Sequence, residues 1–427
     1  MRRTYWFQGV LAALCVAVSA SSLFAEYRET LTEDAPRVDL VTDYGLVSDD
    51  TIDQSDRLQK AIDELSAQGG GKLVLKKGRY AFADVVFKSN VHLFIEGGTV
   101  LKPYIAWDER RAVNMFHFGT DDIEVENVSL RGWNGRFTVE FRPHEPGLRV
   151  VSCKLVRNFL ICNMNVQECW TKFCTIILGP PDTSPEKEGF FGATDGTIRD
   201  CSVFDASGGY GLAQVHAGKR ILFENLYTRG GVAMRVETGV RPKNPKQIGG
   251  AFDLVGRNLK SENAGTCVLL SPHSTHNGVV KVDGVEAISC DFAVKIAPGF
   301  ISKRKKREGP EPGTFAEGTT IKNVHAVFGT NTQRGWTSMK YVHPELLKYV
   351  RMSKEQPGKM RGASIAPVLY AGKYKVNIEN VTGEGFEYVT KPVITEDDAV
   401  PKEVFRKLHR EHLEKIGYYS QKAGESE

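Results

Sequence analysis

Three features that mark other classes of protein are missing from this sequence of 427 residues. After residue 25, no apolar run approaches the roughly 20 residues that a membrane-spanning helix needs. No Cys and His residues have the spacing of a structural zinc site. The net charge is only +4, and no basic strip is interleaved with aromatic residues. The composition therefore argues against a membrane protein, a zinc-stabilised domain and a nucleic-acid-binding protein.

The beginning of the chain has the pattern of a secretory signal peptide. Met1-Arg2-Arg3 precedes an apolar run from Val10 to Val18, and small residues lead to Ala25. We therefore expect cleavage after Ala25 and export to the periplasm or the extracellular medium. Residues 1–25 would then not belong to the folded domain.

Cysteine is scarce, and its placement favours burial over disulfide bonding. Loss of the first 25 residues removes Cys15 and leaves seven of the eight cysteines, an odd number. Four of them fall in or beside apolar strand patterns: Cys174, Cys201, Cys267 and Cys290. Because free cysteine is among the most buried residue types, we expect unpaired, stacked cysteines.

Similar short strand patterns recur through the middle of the chain. They are Thr175–Pro180, Leu212–Gly218, Ala233–Gly239, Val268–His273 and Val294–Gly299. Side chains in a strand alternate between its two faces. The small and apolar positions, which we expect to face inward, are Ala213, Val215, Met234, Val236, Val268, Leu270, Val294 and Ile296.

The opposite face of these strands is chemically versatile. Its positions are Gln214, His216, Arg235, Glu237, Leu269, Ser271, Lys295 and Ala297. If the strands stack in parallel, neighbouring side chains lie about 4.8 Å apart. An amide, an imidazole, a carboxylate and two cations would then share one small surface. We interpret this surface as the candidate site.

Glu237 is the only carboxylate at these outward positions. Desolvation would raise its pKa, as a general acid requires, whereas Arg235 would lower it. The alternative is a surface salt bridge with Arg235 or Lys295. Gln214, His216 and His273 are equally compatible with ordinary outward polar positions.

Positive charge is concentrated in two places. Arg241, Lys243 and Lys246 follow Glu237, and residues 303–307 form a basic run. Solvated loops and contact with a polyanionic substrate both explain such clusters.

A weak internal repeat predicts the architecture. Its pattern is apolar-x-apolar-x-Asn/Asp-apolar, and its instances contain Asn127, Asp200, Asn225, Asp283, Asn323 and Asn380. Asn at a fixed place suits a left-handed turn between strands, and stacked Asn side chains can hydrogen-bond to one another. The variable spacing between repeats predicts loops that wall a groove.

The remaining segments frame this repeat. Leu58, Ile62 and Leu65 have helical spacing, with Asp53 or Ser55 as the expected N-cap. We expect insertions at about 299–318 and 329–362, the second with a short helix that starts at Pro344. Residues 396–427 would hold an amphipathic helix and a tail. Its expected inward residues are Phe405, Leu408, His412 or Leu413, and Ile416.

The beginning of the folded region resembles the amino-terminal cap of the pectin-lyase-like superfamily. The matching residues are Val41–Gly45, the helix, Gly69–Gly71, Gly78–Tyr80 and Ser89–Val91. The resemblance implies an all-β, right-handed parallel β-helix over residues 26–395. A helix across the exposed apolar end of the coil keeps that end dry.

The candidate face is similar to the active site of glycoside hydrolase family 82, the iota-carrageenases. Gln214, His273 and the tripeptide Arg235-Val236-Glu237 carry the resemblance. It implies inverting hydrolysis of β-1,4 bonds in a sulfated galactan. Glu237 would donate the proton, Gln214 would help to hold the attacking water, and His273 would contact the sugar or shape the groove.

The family's second carboxylate falls on Gly239 in this sequence. Asp205, Asp253 and His216 are therefore alternatives for the group that activates the water. Arg235, Lys295, His216, Arg241 and Lys243 are the candidate substrate-binding residues. Arg235 and Lys295 would hold sulfate esters through charge-assisted hydrogen bonds.

Other functions on the same fold are less well supported. The adjacent Asp pairs that a polygalacturonase needs lie outside the candidate strands, and the face lacks the acidic cluster of a calcium-dependent pectate lyase. A hydrolase or lyase acting on another anionic polysaccharide, and a non-catalytic glycan-binding β-helix, remain alternatives. We expect a monomer that requires no cofactor, with any bound calcium, sodium or chloride incidental to the chemistry.

Overall fold

The computed structural model describes residues 26–106, 112–142, 147–182, 188–239, 244, 246–301, 311–356, 358–389 and 391–420. The predicted signal peptide, Arg241, Lys243 and the basic run at 303–307 lie outside the described residues. Within the described ranges, no helix has the length and apolar character that a membrane crossing requires.

The chain is a right-handed parallel β-helix, as predicted, and its longer sheet has 15 strands. Successive turns of the coil add parallel strands in register, so that each strand lies beside the equivalent strand of the next turn. The strands of this sheet are Arg37–Asp39, Asp49–Asp53, Gly71–Leu75, Arg79–Phe82, Val91–Glu96, Val100–Pro103, Val125–Trp133, Phe137–Glu140, Val156–Gln167, Ala193–Phe204, Gly218–Arg229, Ala251–Glu262, Val280–Ile288, Thr320–Val327 and Asn377–Glu384.

The second large sheet has 10 strands and contains the candidate strands. Its strands are Val85–Val86, Val113–Phe118, Leu148–Cys153, Ile176–Leu178, Gly211–Val215, Val232–Glu237, Thr266–Ser271, Phe292–Ile296, Val368–Tyr370 and Val393–Thr395. All of its strand pairs are parallel. This sheet therefore stacks one short strand per turn along a side of the coil.

Smaller elements leave the coil as loops. Two parallel pairs join Gly189–Phe190 to Gln247–Ile248 and His276–Asn277 to Thr314–Phe315. An antiparallel sheet contains Thr332–Arg334, Arg351–Met352 and Met360–Gly362. In the described ranges, the α-helices are Leu40–Tyr44, Ser55–Ala67, Lys402–Val404 and Arg410–Lys415. The 3₁₀-helices there are Trp336–Tyr341, Pro344–Tyr349 and Glu396–Asp398, and a π-helix covers Phe405–His409.

The Asn repeat makes a ladder at a corner of the coil. Asn127, Asn225, Asn323 and Asn380 all adopt the predicted left-handed φ, between 51° and 56°. Asn380 Nδ2 donates to Asn323 Oδ1 at 2.6 Å, and equivalent bonds join neighbouring turns elsewhere in the ladder. At the repeat that contains Asp283, the left-handed residue is Gly284 instead. The repeat therefore sets the bend between strands and ties adjacent turns together.

Both ends of the chain depart in detail from the predictions. The first long helix buries Leu58, Ile62 and Leu65 as expected, but Gln54 occupies its N-cap and makes no capping side-chain bond. Near the carboxyl end, the π segment Phe405–His409 changes the helical register. Leu408 is therefore 39% exposed, and His409 is buried in its place.

The cysteines are unpaired, as predicted. All seven that follow residue 25 are free, six of them are buried, and Cys169 is half-buried. Burial raises the pKa of the Cys174 thiol to about 12 and that of Cys267 to about 12. These cysteines pack as small apolar side chains and are protonated at neutral pH.

Candidate functional site

The candidate face is a ladder of outward side chains on the 10-stranded sheet. Gln214 lies beside Arg235, Arg235 beside Leu269, and Leu269 beside Lys295. Glu237 follows Arg235 on the same face and lies beside Ser271. The structure therefore brings together the amide, the carboxylate and both cations, as strand alternation predicts.

Apolar packing fixes this face from behind. The inward residues Val215, Val236, Leu270 and Ile296 lie in register on successive strands, and none of them is exposed. A shift by one residue would turn each apolar side chain outward. The hydrophobic interior therefore sets which polar groups face the groove.

Glu237 is the centre of the hydrogen-bond network on the face. Its Oε2 accepts from Gln214 Nε2 at 3.0 Å and from Arg235 Nη2 at 2.5 Å. Its Oε1 lies 3.1 Å from His273 Nε2. Only 18% of the side chain is exposed. The three neighbours hold the carboxylate in one orientation and satisfy both of its oxygens.

These contacts decide the charge of Glu237. Burial raises its pKa, but the His273 hydrogen bond and the positive charge of Arg235 oppose burial and prevail. The result is a pKa of about 2, below the ordinary value of 4.5. The Glu237 carboxyl is therefore ionised in the free protein, as expected if Arg235 lowers its pKa, and not protonated as a general acid would be.

Arg235 is itself restrained. Its Nη1 donates to the carbonyl of Gly209, and its guanidinium lies 5.3 Å from the ring centre of Tyr210. Its buried Nε has no hydrogen-bond partner among the residues that the structure describes. Arg235 thus connects Glu237 to the loop that precedes the strand Gly211–Val215.

His216 contacts the backbone beside the carboxylate. Its Nδ1 lies 2.5 Å from the carbonyl oxygen of Glu237, so Nδ1 must carry the proton of this bond. Burial lowers the pKa of His216, although the bond to this carbonyl opposes the effect. The neutral ring therefore has its lone pair on Nε2. Such a group can accept a proton.

His273 occupies the space beside Gly239. Its backbone has a left-handed φ of 47°, and its ring lies 4.2 Å from the ring centre of Phe300. A Cβ atom at position 239 would lie 2.4 Å from His273 Nδ1. A side chain at this position is therefore incompatible with the observed imidazole. The missing side chain lets His273 reach Glu237.

The other two candidates for the base lie elsewhere. Asp205 follows the strand Ala193–Phe204 and pairs with Arg229 at 3.3 Å. Asp253 lies in the strand Ala251–Glu262. Both strands belong to the 15-stranded sheet, not to the sheet that presents Glu237. Among the three candidates from the sequence, only His216 contacts Glu237.

Two groups near Lys295 were missed by the sequence analysis. Arg334 comes from the antiparallel strand Thr332–Arg334, and its Nη2 pairs with Asp291 at 2.7 Å. Both side chains are buried. Arg334 lies in an irregular insertion, where no periodic signal marks its direction. The one sequence feature that could have pointed to Asp291 is its position directly before the strand Phe292–Ile296.

Within the described ranges, no cluster of three or more His, Cys, Asp or Glu residues is suited to hold a metal ion. The face offers amide, imidazole and guanidinium donors instead. These groups suit anionic ligands.

Two curated proteins with similar sequences are both iota-carrageenases. The iota-carrageenase of Zobellia galactanivorans is 34% identical over 310 residues, which are 71% of this chain and 62% of that protein. The iota-carrageenase of Alteromonas macleodii is 33% identical over 281 residues, 65% of this chain and 56% of that protein. The chain thus spans less than two thirds of the length of these relatives. No protein-family model matches it.

Three solved structures superpose on most of this chain. A structure described as 1,3-alpha-1,4-beta-D-galactose-4-sulfate-3,6-anhydro-D-galactose-2-sulfate 4 galactohydrolase superposes with a TM-score of 0.79 at 28% identity, covering 87% of this chain and 93% of that one. The iota-carrageenase of A. fortis, family GH82, solved in the absence of chloride ions, gives 0.79 at 27% identity and covers 87% and 92%. An iota-carrageenase complexed to iota-carrageenan fragments gives 0.78 at 26% identity, covering 87% and 93%.

Each of these three superpositions covers 87% of this chain. Sequence identity above 30% to two iota-carrageenases and close superposition on solved ones point to the same family. The chain belongs to glycoside hydrolase family 82, the family of the iota-carrageenases.

Proposed function

We propose that this chain is a secreted hydrolase that cleaves β-1,4 bonds of a sulfated galactan similar to iota-carrageenan, with inversion. The single observation that carries the proposal is the environment of Glu237. The carboxylate lies on the outward face of the stacked strands, held by Gln214, Arg235 and His273. This geometry combines a proton-transfer group with donors suited to an anionic polymer.

Glu237 would donate the proton to the leaving glycosidic oxygen. The free carboxylate is ionised, so substrate binding must raise its pKa. A sulfate ester would supply this effect by taking the Arg235 guanidinium from Glu237 and by placing a negative charge nearby. Protonation of Glu237 would then be coupled to the arrival of a correctly sulfated sugar.

His216 would be the base. An inverting enzyme activates water on the opposite side of the sugar from the acid. The neutral His216 ring, with Nδ1–H bound to a carbonyl, has Nε2 available to accept a proton from that water. Gln214 would hold the water through its amide oxygen. The water oxygen bonds to the anomeric carbon as the glycosidic bond breaks, and no cofactor takes part.

His273 would fix the position of the acid. Its hydrogen bond to Oε1 leaves Oε2 of Glu237 for Gln214 and Arg235. That any bound calcium, sodium or chloride is incidental to the chemistry remains a prediction. Secretion and the signal peptide likewise remain predictions.

The test is product analysis with iota-carrageenan. We expect the wild type to release new reducing ends without unsaturated products, and Glu237→Gln to lower the rate by about 10²–10⁴-fold. Gln keeps the size of the side chain but cannot donate a carboxyl proton. The matched control is Glu379→Gln, because Glu379 forms an exposed ion pair with Lys322 on the 15-stranded sheet.

Two results would contradict the proposal. Equal and negligible sugar release by wild type and Glu237→Gln, with binding retained, would indicate a glycan-binding β-helix. An absorbance increase from unsaturated products would indicate a lyase.

A further inference from the structure

An aromatic side chain beside the Glu237 network is open to solvent. Phe300 follows the strand Phe292–Ile296 and is 46% exposed. Its ring centre lies 4.2 Å from that of His273, with 45° between the two ring planes. His273 Nε2 in turn lies 3.1 Å from Glu237 Oε1. Phe300 is therefore separated from the carboxylate by a single side chain, and its phenyl ring can make no hydrogen bond of the kind that holds Glu237.

The backbone of His273 fixes the position of Phe300. The His273 carbonyl accepts one hydrogen bond from Phe300 N at 2.7 Å and another from Gly313 N at 2.8 Å. A Cβ atom at Gly299 would collide with the carbonyl oxygen of Gly313. The two ends of the predicted insertion at about 299–318 thus approach each other closely and are held at one carbonyl group. The ring is therefore in place before a ligand arrives, which reduces the entropy that binding costs.

The parallel strands present the groups of the site in a fixed order along the coil. His216 follows the strand Gly211–Val215, and Glu237 ends the next strand. His273 follows the strand after that, and Phe300 follows the fourth. His216 and Phe300 therefore lie on opposite sides of Glu237.

This order decides which sugar Phe300 can reach. In inverting hydrolysis, the water attacks from the side of the sugar opposite to the leaving group. His216, the proposed base, would lie on the side of the attacking water. The leaving sugar would then extend past Glu237 in the other direction, towards Phe300. A phenyl ring carries no charge, and its face is weakly negative, so it suits the carbon–hydrogen face of a sugar and not a sulfate group.

We propose that Phe300 binds the leaving sugar of the galactan by stacking its ring on the apolar carbon–hydrogen face of that sugar. This inference rests on the proposed function, which supplies the substrate and the order of base and acid. Stacking removes the exposed ring from water. Phe300 would thereby hold the leaving sugar beside Glu237, where the glycosidic oxygen receives its proton.

The test measures binding apart from turnover. A tetrasaccharide of iota-carrageenan is titrated by calorimetry into Glu237→Gln and into Glu237→Gln combined with Phe300→Leu. Leucine keeps apolar packing against His273 but has no aromatic face, so we expect the dissociation constant to rise about three- to tenfold. In the Glu237 protein, Phe300→Leu should raise KM by a similar factor and leave kcat unchanged, because the stacking is equal in the ground and transition states.

Two further variants serve as controls for this titration. Phe300→Trp keeps an aromatic face and should bind the tetrasaccharide within about twofold of its parent. Tyr419→Leu removes a ring that is 40% exposed and contacts Trp336 in the carboxyl-terminal region. Its dissociation constant should also stay within about twofold of the parent value.

A second measurement distinguishes stacking from a positioning role. If Phe300 acted only by holding His273, its loss would weaken the bond from His273 to Glu237 and raise the pKa of that carboxyl. We expect instead that Phe300→Leu leaves the pKa of Glu237 unchanged in a carboxyl ¹³C NMR titration. Weaker binding together with a raised pKa of Glu237 would overturn the stacking role.

The outcomes separate this inference from the hydrolase proposal. Equal binding of the tetrasaccharide with and without Phe300→Leu would refute the inference, even where the wild type hydrolyses iota-carrageenan. Phe300-dependent binding with an unchanged pKa of Glu237, but without hydrolysis, would support sugar stacking and refute the hydrolase proposal. If Phe300→Leu lowers the temperature of thermal unfolding, Phe300→Met replaces it in the same measurements.

Discussion

Glu168 and Glu237 are both glutamates with little contact with water, yet the structure shifts their pKa values in opposite directions. Glu168 follows the strand Val156–Gln167 and is completely buried. Its Oε1 accepts a hydrogen bond from Thr175 at 3.0 Å, and in the described part of the chain its Oε2 has no hydrogen-bond partner. Burial raises the pKa of Glu168 well above the ordinary value. Burial therefore favours the neutral form of Glu168.

Glu237 differs in the number and charge of its donors. Gln214, Arg235 and His273 all contact its carboxylate, and its pKa is about 2. Burial alone raises the pKa of both glutamates. The contrast indicates that the His273 hydrogen bond and the charge of Arg235 outweigh burial at the candidate site. A ligand that removes one of these donors can therefore change the protonation of Glu237.

Among the variants that test this contrast, Arg235→Met should have the largest effect. We expect Arg235→Met to move the pKa of Glu237 from about 2 towards its ordinary value of 4.5, because the opposing positive charge is lost. The rate on iota-carrageenan should fall by about 10–100-fold, because contacts with a sulfate ester are lost as well. Carboxyl ¹³C NMR titration measures the pKa, and a reducing-sugar assay measures the rate.

The control for this variant is Arg257→Met. Arg257 is a partly exposed arginine on the 15-stranded sheet, near Glu26 and Glu224. It should leave both the pKa of Glu237 and the rate unchanged. An unaltered pKa in Arg235→Met would remove the basis for coupling protonation to substrate binding.

A smaller effect should appear in the pH dependence of stability, with opposite signs at the two glutamates. The pKa of Glu237 is lower in the folded protein, so its contribution to the unfolding free energy is present above pH 4.5 and is lost as the pH falls towards 2. The pKa of Glu168 is higher in the folded protein, so its contribution is lost as the pH rises above 4.5.

Two glutamine variants separate these contributions in urea unfolding at several pH values. Glu237→Gln should flatten the loss of stability in acid. Glu168→Gln should flatten the decline towards neutral pH and leave the protein at least as stable as the wild type at pH 7. Strong destabilisation by Glu168→Gln at pH 7 would show that this carboxyl is ionised and paired.

The regular part of the molecule could be predicted from the sequence because the same side-chain pattern recurs in successive turns of the coil. Alternation in Leu212–Gly218 and Ala233–Gly239 predicts which side chains face inward, and the structure has Val215 and Val236 fully buried. The Asn repeat predicts left-handed corners, which Asn225 and Asn323 adopt. Because stacked turns repeat one local geometry, a local sequence pattern is sufficient to predict which side chains face inward.

The irregular part could not be predicted in this way. Arg334 reaches the face from an antiparallel insertion, and His273 reaches Glu237 because position 239 has no side chain. The π segment that exposes Leu408 depends on packing that a helical pattern does not contain. The charge of Glu237 likewise depends on the combined contacts of His273 and Arg235. Each of these features depends on contacts between distant segments.

The most direct test of the central claim is the configuration of the first product. Early proton NMR spectra of iota-carrageenan hydrolysis distinguish the two anomers of the new reducing end before they equilibrate. Proton donation by Glu237, with water activated by a separate base, predicts that the α-anomer appears first from a β-1,4 bond. Initial appearance of the β-anomer would show retention and would contradict the account.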